Sequence, residues 1–478
     1  VGFVQGVHRN QVVMFPESLD EYVSDDNPVR FIDAFVDSLD LRALGFERAV
    51  PAETGRPPYH PGVLLKLYVY GYLNRIRSSR KLEREAQRNV ELMWLLGKLT
   101  PDFKTIADFR RDNGQPIRAV FREFTQVCRR LELYGGELVA VDGSKFKAVN
   151  SRDRNFTQRK LEDLDKRADN KIQRYFEELD EADEREQDSQ KPTAEELREK
   201  IEWLQGRKEV YSKLREQMEG NGESQVSLTD PDARTMWLGH SRGTDVAYNV
   251  QITVDAKHKL IVDHEVTNAC NDLNQLSAMA IRAKEVLDVE SLEVVADKGY
   301  YNGTEIKDCV DEDIVPFIPE TDSSSNSRAG LYGKKDFRYD AENDCYWCPA
   351  GKALPYSYQT TSNGQEVRVY IAKGCTKCAL KHKCHRNKYS RRIKRWVHEE
   401  VLEEMAQRVR AEPDKVKERK SLVEHPFGTI KRSMDQGYFL TRRLWGVRTE
   451  TSLTMLAYNI KRALALKGTQ GLLAALSM

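Results

Sequence analysis

The sequence predicts a mixed α/β core with a helical segment ahead of it and two insertions within it. Three observations predict this. Apolar residues recur at helical spacing through residues 15–135. From about residue 136 to 320, short apolar or alternating runs are interleaved with helical stretches. Two segments, 158–225 and 321–395, interrupt that order with compositions of their own.

In the N-terminal part (1–135), Pro28-Val29-Arg30-Phe31-Ile32 opens an amphipathic stretch reaching Leu44. A Pro- and Gly-rich loop runs from Pro51 to Pro61. Val63, Leu64, Leu67, Tyr68 and Leu73 then mark a helix, and Asp102-Phe103-Lys104-Thr105 starts another. Arg75, Arg77, Arg80, Lys81, Arg84 and Arg88 give this all-helical domain a basic edge, suited either to DNA or simply to solvent.

The core is expected in 136–157 and 226–320, completed by C-terminal helices in 396–478. Leu138-Val139-Ala140-Val141 reads as a short buried strand that ends by delivering Asp142. Val246, Tyr248, Val250, Ile252 and Val254 alternate with Ala247, Asn249, Gln251 and Thr253. With Leu260, Val262, His264 and Val266 after a turn at 255–259, they predict an antiparallel hairpin with one buried face. Asn274–Leu287 reads as a helix, and Leu292–Ala296 as a second short strand, ending at Asp297. A helix at Thr304–Val310 and a strand at Ile314–Ile318 follow.

Residues 158–220 hold 14 Lys/Arg and 19 Asp/Glu, a net of −5, with a thin apolar stripe broken at Lys191-Pro192-Thr193. That is a charged helical hairpin whose charge repels DNA, so its expected role is structural or in subunit contact.

Over the 478 residues, 76 Lys/Arg oppose 75 Asp/Glu, which excludes a uniformly basic nucleic-acid coat but not a local basic surface. No apolar run approaches the roughly 18 residues of a membrane span. With no secretory leader pattern at Val1-Gly2-Phe3, the expected location is the cytoplasm, at the nucleoid, with no membrane partner.

Five of the eight cysteines fall within forty residues: Cys345, Cys348, Cys375, Cys378 and Cys384. Two CxxC pairs in a reducing compartment favour a structural Zn²⁺ held by four thiolates. The tight turn at Pro349-Ala350-Gly351 favours Cys348, Cys375, Cys378 and Cys384 as ligands, with Cys345 spare. From Lys373 to Arg395 there are ten Lys/Arg and no acid, a surface suited to phosphate.

Asp142 and Asp297 each follow a buried apolar run, where an unpaired charge is costly. Side by side they would form a hard-oxygen site for Mg²⁺. Glu424 is the third candidate, a lone acid sharing a helix face with Lys417, Lys420 and Lys431. Pro426 predicts a kink or restart beside it.

Val141-Asp142-Gly143-Ser144-Lys145, Ala296-Asp297-Lys298-Gly299-Tyr300 and Val423-Glu424-His425-Pro426-Phe427-Gly428 occur in that order. With Thr229–Arg234, Tyr248-Asn249-Val250-Gln251 and Ala457-Tyr458-Asn459-Ile460, they resemble the DDE transposases of bacterial insertion sequences, specifically the insertion sequence 1182 family, from about residue 15 to 465. The resemblance implies a ribonuclease H-like core with Asp142, Asp297 and Glu424 as an acidic triad. It implies two Mg²⁺ ions (Mn²⁺ substituting) that support in-line phosphoryl transfer, cutting element ends and joining them to target DNA. It also implies an N-terminal domain for terminal-repeat DNA. The family's Tyr, Arg, Glu, Lys signature is partly kept: Lys431 matches, while Lys420 and Lys417 stand for the Arg and Tyr. Lys298, Lys420, Lys431, Arg432, Arg442 and Arg443 are the expected phosphate contacts, with Arg234 a helper in ordering the site. Cutting two ends together implies a homodimer on double-stranded DNA. The alternatives are a transposase-derived DNA-binding protein and a zinc-stabilised nuclease without strand transfer.

Overall fold

The structure is a computed structural model describing residues 18–50, 57–150, 154–183, 194–220, 222–239, 243–321, 325–362, 364–386 and 388–477. The expected helix break at Lys191-Pro192-Thr193 and most of the Pro51–Pro61 loop lie outside the described residues.

Among the described residues the chain begins with the helices α1 (Pro28–Asp37), α2 (Pro61–Leu73), α3 (Ser79–Ala86), α4 (Val90–Leu95), α5 (Phe103–Asp112) and α6 (Gly114–Arg130). Asn27 caps α1 by accepting from the Val29 amide, with Pro28 preset in the first turn. Asp102 caps α5 through the Lys104 and Thr105 amides. Nearly every residue of α2 is buried, so it is the central helix of this part.

The core sheet then begins with β1 (Leu138–Lys147). A detour follows: β2 (Asn155–Thr157), α7 (Gln158–Asp183), α8 (Ala194–Gly220) and β3 (Gln225–Ser227). Strands β2 and β3 pair with each other, so the charged hairpin leaves and returns at one point. Its base closes over Phe156, Leu161, Tyr211, Leu214, Met218 and Val226.

Next come β4 (Arg234–Trp237), β5 (Thr244–Asp255), β6 (Ile261–Thr267), α9 (Leu276–Leu287), β7 (Leu292–Val295), α10 (Gly303–Asp311) and β8 (Ile314–Phe317). The sheet runs β6-β5-β1-β7-β8, with β4 sharing the outer edge of β5. Strands β1, β7 and β8 are parallel, while β4 and β6 run antiparallel to β5, as β5 does to β1.

Two expectations need correcting. β1 does not end at Asp142 but continues to Lys147, because β5 is long enough to pair with it from Val139 to Lys147. The hairpin is buried on both faces: Asn249, Gln251 and Thr253 are as inaccessible as the apolar residues beside them, because α9 packs on their side.

The second insertion comprises the short helix α11 (Ser325–Arg328), then β9 (Arg338–Asp340), β10 (Cys345–Trp347), β11 (Ala353–Ser362), β12 (Gln365–Ile371), α12 (Lys381–Cys384) and β13 (Arg392–Trp396). Its five strands make a separate antiparallel sheet around a small core that includes Phe337, Tyr346, Leu354 and Tyr370.

Helices α13 (Glu399–Ala411), α14 (Pro413–Gly428) and α15 (Leu444–Leu476) finish the fold. α15 packs on α1, α2, α6 and β6, joining the N-terminal helices to the core sheet. Among the described residues no helix is long and apolar enough to cross a membrane.

Candidate active site

Because β1 and β7 pair in parallel with Ala140 opposite Val295, their next residues bring Asp142 and Asp297 to neighbouring positions at one end of β7. β7 stops there, and Asp297 caps a short 3-10 turn by accepting from the Gly299 amide at 2.7 Å. β1 runs on without β7. Its free edge beyond Asp142 is covered by the segment after α14: the Lys147 amide donates to the Gly437 carbonyl at 3.3 Å, and the Phe439 amide to the Lys147 carbonyl at 2.9 Å.

Asp142 is 21% exposed. Burial pushes its carboxyl up to about 6, helped by the nearby charge of Asp297 and opposed by Arg419. Its Oδ1 accepts from the Gly143 amide at 2.9 Å, and its Oδ2 lies 3.2 Å from Arg419 Nη1. That guanidinium nitrogen is buried and forms no hydrogen bond, so the pair is an ion pair without full hydrogen bonding.

Glu424 is not beside the two aspartates. It is 65% exposed, with Lys420 Nζ 3.7 Å from Oε1. Among the described residues, no group of three or more His, Cys, Asp or Glu side chains is arranged to hold a metal ion, and that includes these three acids. The donor chemistry of Asp142 and Asp297 fits a hard cation: two carboxylates crowd together, one of them desolvated.

The expected break at Pro426 does not occur there. α14 runs through Pro426 without restarting, and a π-helical turn, Thr429–Ser433, follows it. The turn rotates Lys431 inward, where its Nζ donates to Ser144 Oγ at 2.6 Å and to the Lys145 carbonyl at 2.9 Å. It also lies 4.5 Å from the Phe146 ring centre. Lys431 therefore does not share the exposed face of Lys417, Lys420 and Glu424. Lys298, Lys420, Arg432, Arg442 and Arg443 are all exposed. Arg234 is remote in role, holding the 223–233 turn through Glu223 and the carbonyls of Pro231 and Ala233.

Spacing does not single out Arg419, which lies one residue before Lys420. Nor does it single out Asp272, in the loop after β6, whose Oδ1 accepts from Asn249 Nδ2 at 2.6 Å and Gln251 Nε2 at 2.7 Å. The sequence signal for Asp272 is the amide pair itself: two carboxamides on one face of an otherwise apolar strand require a buried partner.

In the second insertion, Cys348, Cys375, Cys378 and Cys384 line one pocket with Lys352 and His385. The Cys384 thiol is pushed up by burial and by the other three sulfurs, against the pull of Arg391. Cys345 is buried in β10. The four thiols face a common space without forming a metal-ready group.

Residues 17–112 match the model of the family described as Transposase domain (DUF772), and residues 347–464 that of the family described as Transposase DDE domain. No curated protein matches the chain. Among solved structures, a cryo-EM structure of a piggyBac transposase synaptic complex with hairpin DNA aligns at 9% identity. The alignment covers 95% of this chain and 80% of that one, at a TM-score of 0.32.

Proposed function

We propose that this chain, whose residues 17–112 and 347–464 match two transposase family models, is a DDE transposase that binds element ends, cuts them and joins them to target DNA. The observation that carries the reading is the adjacency of Asp142 and Asp297 at the end of β7, with Asp142 held in a state that favours a positive partner. The strand order β6-β5-β1-β7-β8, three parallel strands after an antiparallel pair, supports a ribonuclease H-like core.

Asp142 and Asp297 would hold Mg²⁺, with Glu424 completing the set. When bound, the metal supplies a lowered pKa for the attacking water or 3′-hydroxyl and charge stabilisation at the leaving 3′-oxygen. The protein's own part is to release Arg419 from Asp142 and turn α14 so that Glu424 faces the pair. The π-helical turn is the hinge, since its hydrogen-bond ladder already departs from α geometry. Lys298, Lys420, Arg432, Arg442 and Arg443 would contact phosphates. Lys431 reaches them only by giving up Ser144. The N-terminal helices would bind terminal repeats, and two copies would assemble on paired ends.

Cys348, Cys375, Cys378 and Cys384 are proposed to hold one Zn²⁺, because their sheet has only a small core of its own and a metal staple would supplement it.

The test is a supercoiled plasmid carrying the element ends, incubated with Mg²⁺. Wild-type protein should cut and join the ends, and Asp142→Asn and Asp297→Asn should not; equal cleavage by either variant contradicts the reading. The outward position of Glu424 favours one rival, a DNA-binding protein without catalysis. End binding with no strand transfer in either Mg²⁺ or Mn²⁺ would establish that rival.

A further inference from the structure

Asp272 sits in the loop between β6 and α9 and belongs to none of the motifs that identify the chain. Its Oδ1 accepts from three donors: Asn249 Nδ2 at 2.6 Å, Gln251 Nε2 at 2.7 Å and Lys145 Nζ at 3.2 Å. Each donor comes from a strand next to the candidate site. Lys145 lies three residues after Asp142 on β1, and Gln251 stands opposite Gly143 in the β1–β5 register. The network continues on the other side of Gln251, whose Oε1 accepts from the Tyr300 hydroxyl. Tyr300 is fully buried and ends the turn that Asp297 caps.

Gly143 makes the arrangement possible. A Cβ there would lie 2.3 Å from Gln251 Nε2 and 2.6 Å from Asp272 Oδ1, so any side chain would push the network away from β1. Asn249 Oδ1 is buried with no hydrogen-bond partner. Its Nδ2 donates to Asp272 and, at 3.3 Å, to the Ala269 carbonyl, so the amide is oriented from its nitrogen end alone.

We propose that Asp272 is a positioning residue: it fixes the Gln251 carboxamide so that its carbonyl meets Tyr300, and thereby sets the Asp297 turn against the Asp142 strand. The proposal rests on the reading of Asp142 and Asp297 as metal-holding carboxylates. Turning Gln251 over would present its NH₂ to Tyr300 and its carbonyl to the Asp272 carboxylate, which repel. The negative charge of Asp272 therefore selects one of the two orientations.

The experiment is a titration of the full-length chain with Mn²⁺, followed by electron paramagnetic resonance. Asp142→Asn should abolish tight binding. Asp272→Asn should weaken it by about tenfold, the range seen when outer-shell partners of metal ligands are lost, with end-DNA binding unchanged. Tyr300→Phe, which removes one hydroxyl and keeps the packing, should weaken it in the same direction. Should Asp272→Asn fail to fold, Tyr300→Phe decides alone. Wild-type affinity for Mn²⁺ in a folded Asp272→Asn, or in Tyr300→Phe, overturns the positioning role while leaving the metal reading intact. No Mn²⁺ binding by wild type, or binding unchanged in Asp142→Asn, overturns the metal reading itself and the positioning role with it.

Discussion

Glu450 on α15 is fully buried and Asp142 on β1 mostly so, and their partners differ in number and quality. Glu450 is completely buried and accepts from Arg77 Nη1 at 3.1 Å, from the Leu440 and Thr441 amides, and from Thr441 Oγ1 at 2.8 Å. Arg77 in turn donates to the Tyr438 and Asp435 carbonyls and stacks 4.4 Å over the Tyr438 ring. The set is closed, and it ties the N-terminal helices to the segment that covers the free edge of β1. Asp142 has one backbone amide and one poorly bonded guanidinium, and a second carboxylate stands beside it. A fully satisfied buried acid serves the fold. An under-satisfied one next to another acid stores affinity for a cation, and that separates structural from functional burial.

The comparison can be broken first at Asp142. Replacing it with Asn should cost cleavage about three orders of magnitude or more, since metal-assisted stabilisation is worth several kcal/mol. Thermal stability should hold or rise, because an uncomfortable charge is removed; a large fall in melting temperature would place Asp142 with Glu450 as structural.

The converse change, Arg77→Met, leaves the buried Glu450 carboxylate its amide and hydroxyl donors but removes the guanidinium paired with it. It should destabilise the protein by about 3–5 kcal/mol in denaturant melts. A loss under about 1 kcal/mol would mean that the latch is not energetically closed.

How much of this the sequence discloses depends on whether a residue's role is local. The strands carrying Asp142 and Asp297 are readable because uninterrupted apolar runs can only be buried. The extension of β1 through Gly143, Ser144 and Lys145 is not, because those residues are covered by partners far along the chain: Gln251 on β5, and Lys431 after α14. Counting a regular helix through 417–431 places Lys431 beside Glu424, and one π-helical turn is enough to undo that phase. The same count picks Lys420 over Arg419, although Arg419 reaches Asp142 and Lys420 points to solvent.

A pH measurement sharpens the structural side. His264 is buried against Phe121 and bonds Ser452 Oγ at 2.8 Å. Burial, reinforced by Arg118, lowers its pKa to about 3. The folded state thus prefers the neutral ring. Its contribution is complete above the unfolded value near 6.5 and is lost as pH falls toward 3. Between pH 6.5 and 5 the loss should be about 2 kcal/mol. His264→Gln should flatten that part of the stability profile; an unchanged slope would assign the pH dependence elsewhere.

The smallest effect is expected at Cys345. Cys345→Ser should leave bound zinc unchanged, whereas Cys378→Ser should lower the zinc content measured by mass spectrometry. Equal zinc in both variants would remove the four-thiolate assignment.

If Asp142 and Asp297 form the reaction centre, with Glu424 brought in by α14, anomalous diffraction from crystals grown with Mn²⁺ and end DNA will locate the metal there. Manganese peaks contacting both aspartates are expected, with Arg419 withdrawn and Glu424 turned toward them; peaks elsewhere, or Arg419 still seated on Asp142 with no metal beside it, would rule the centre out.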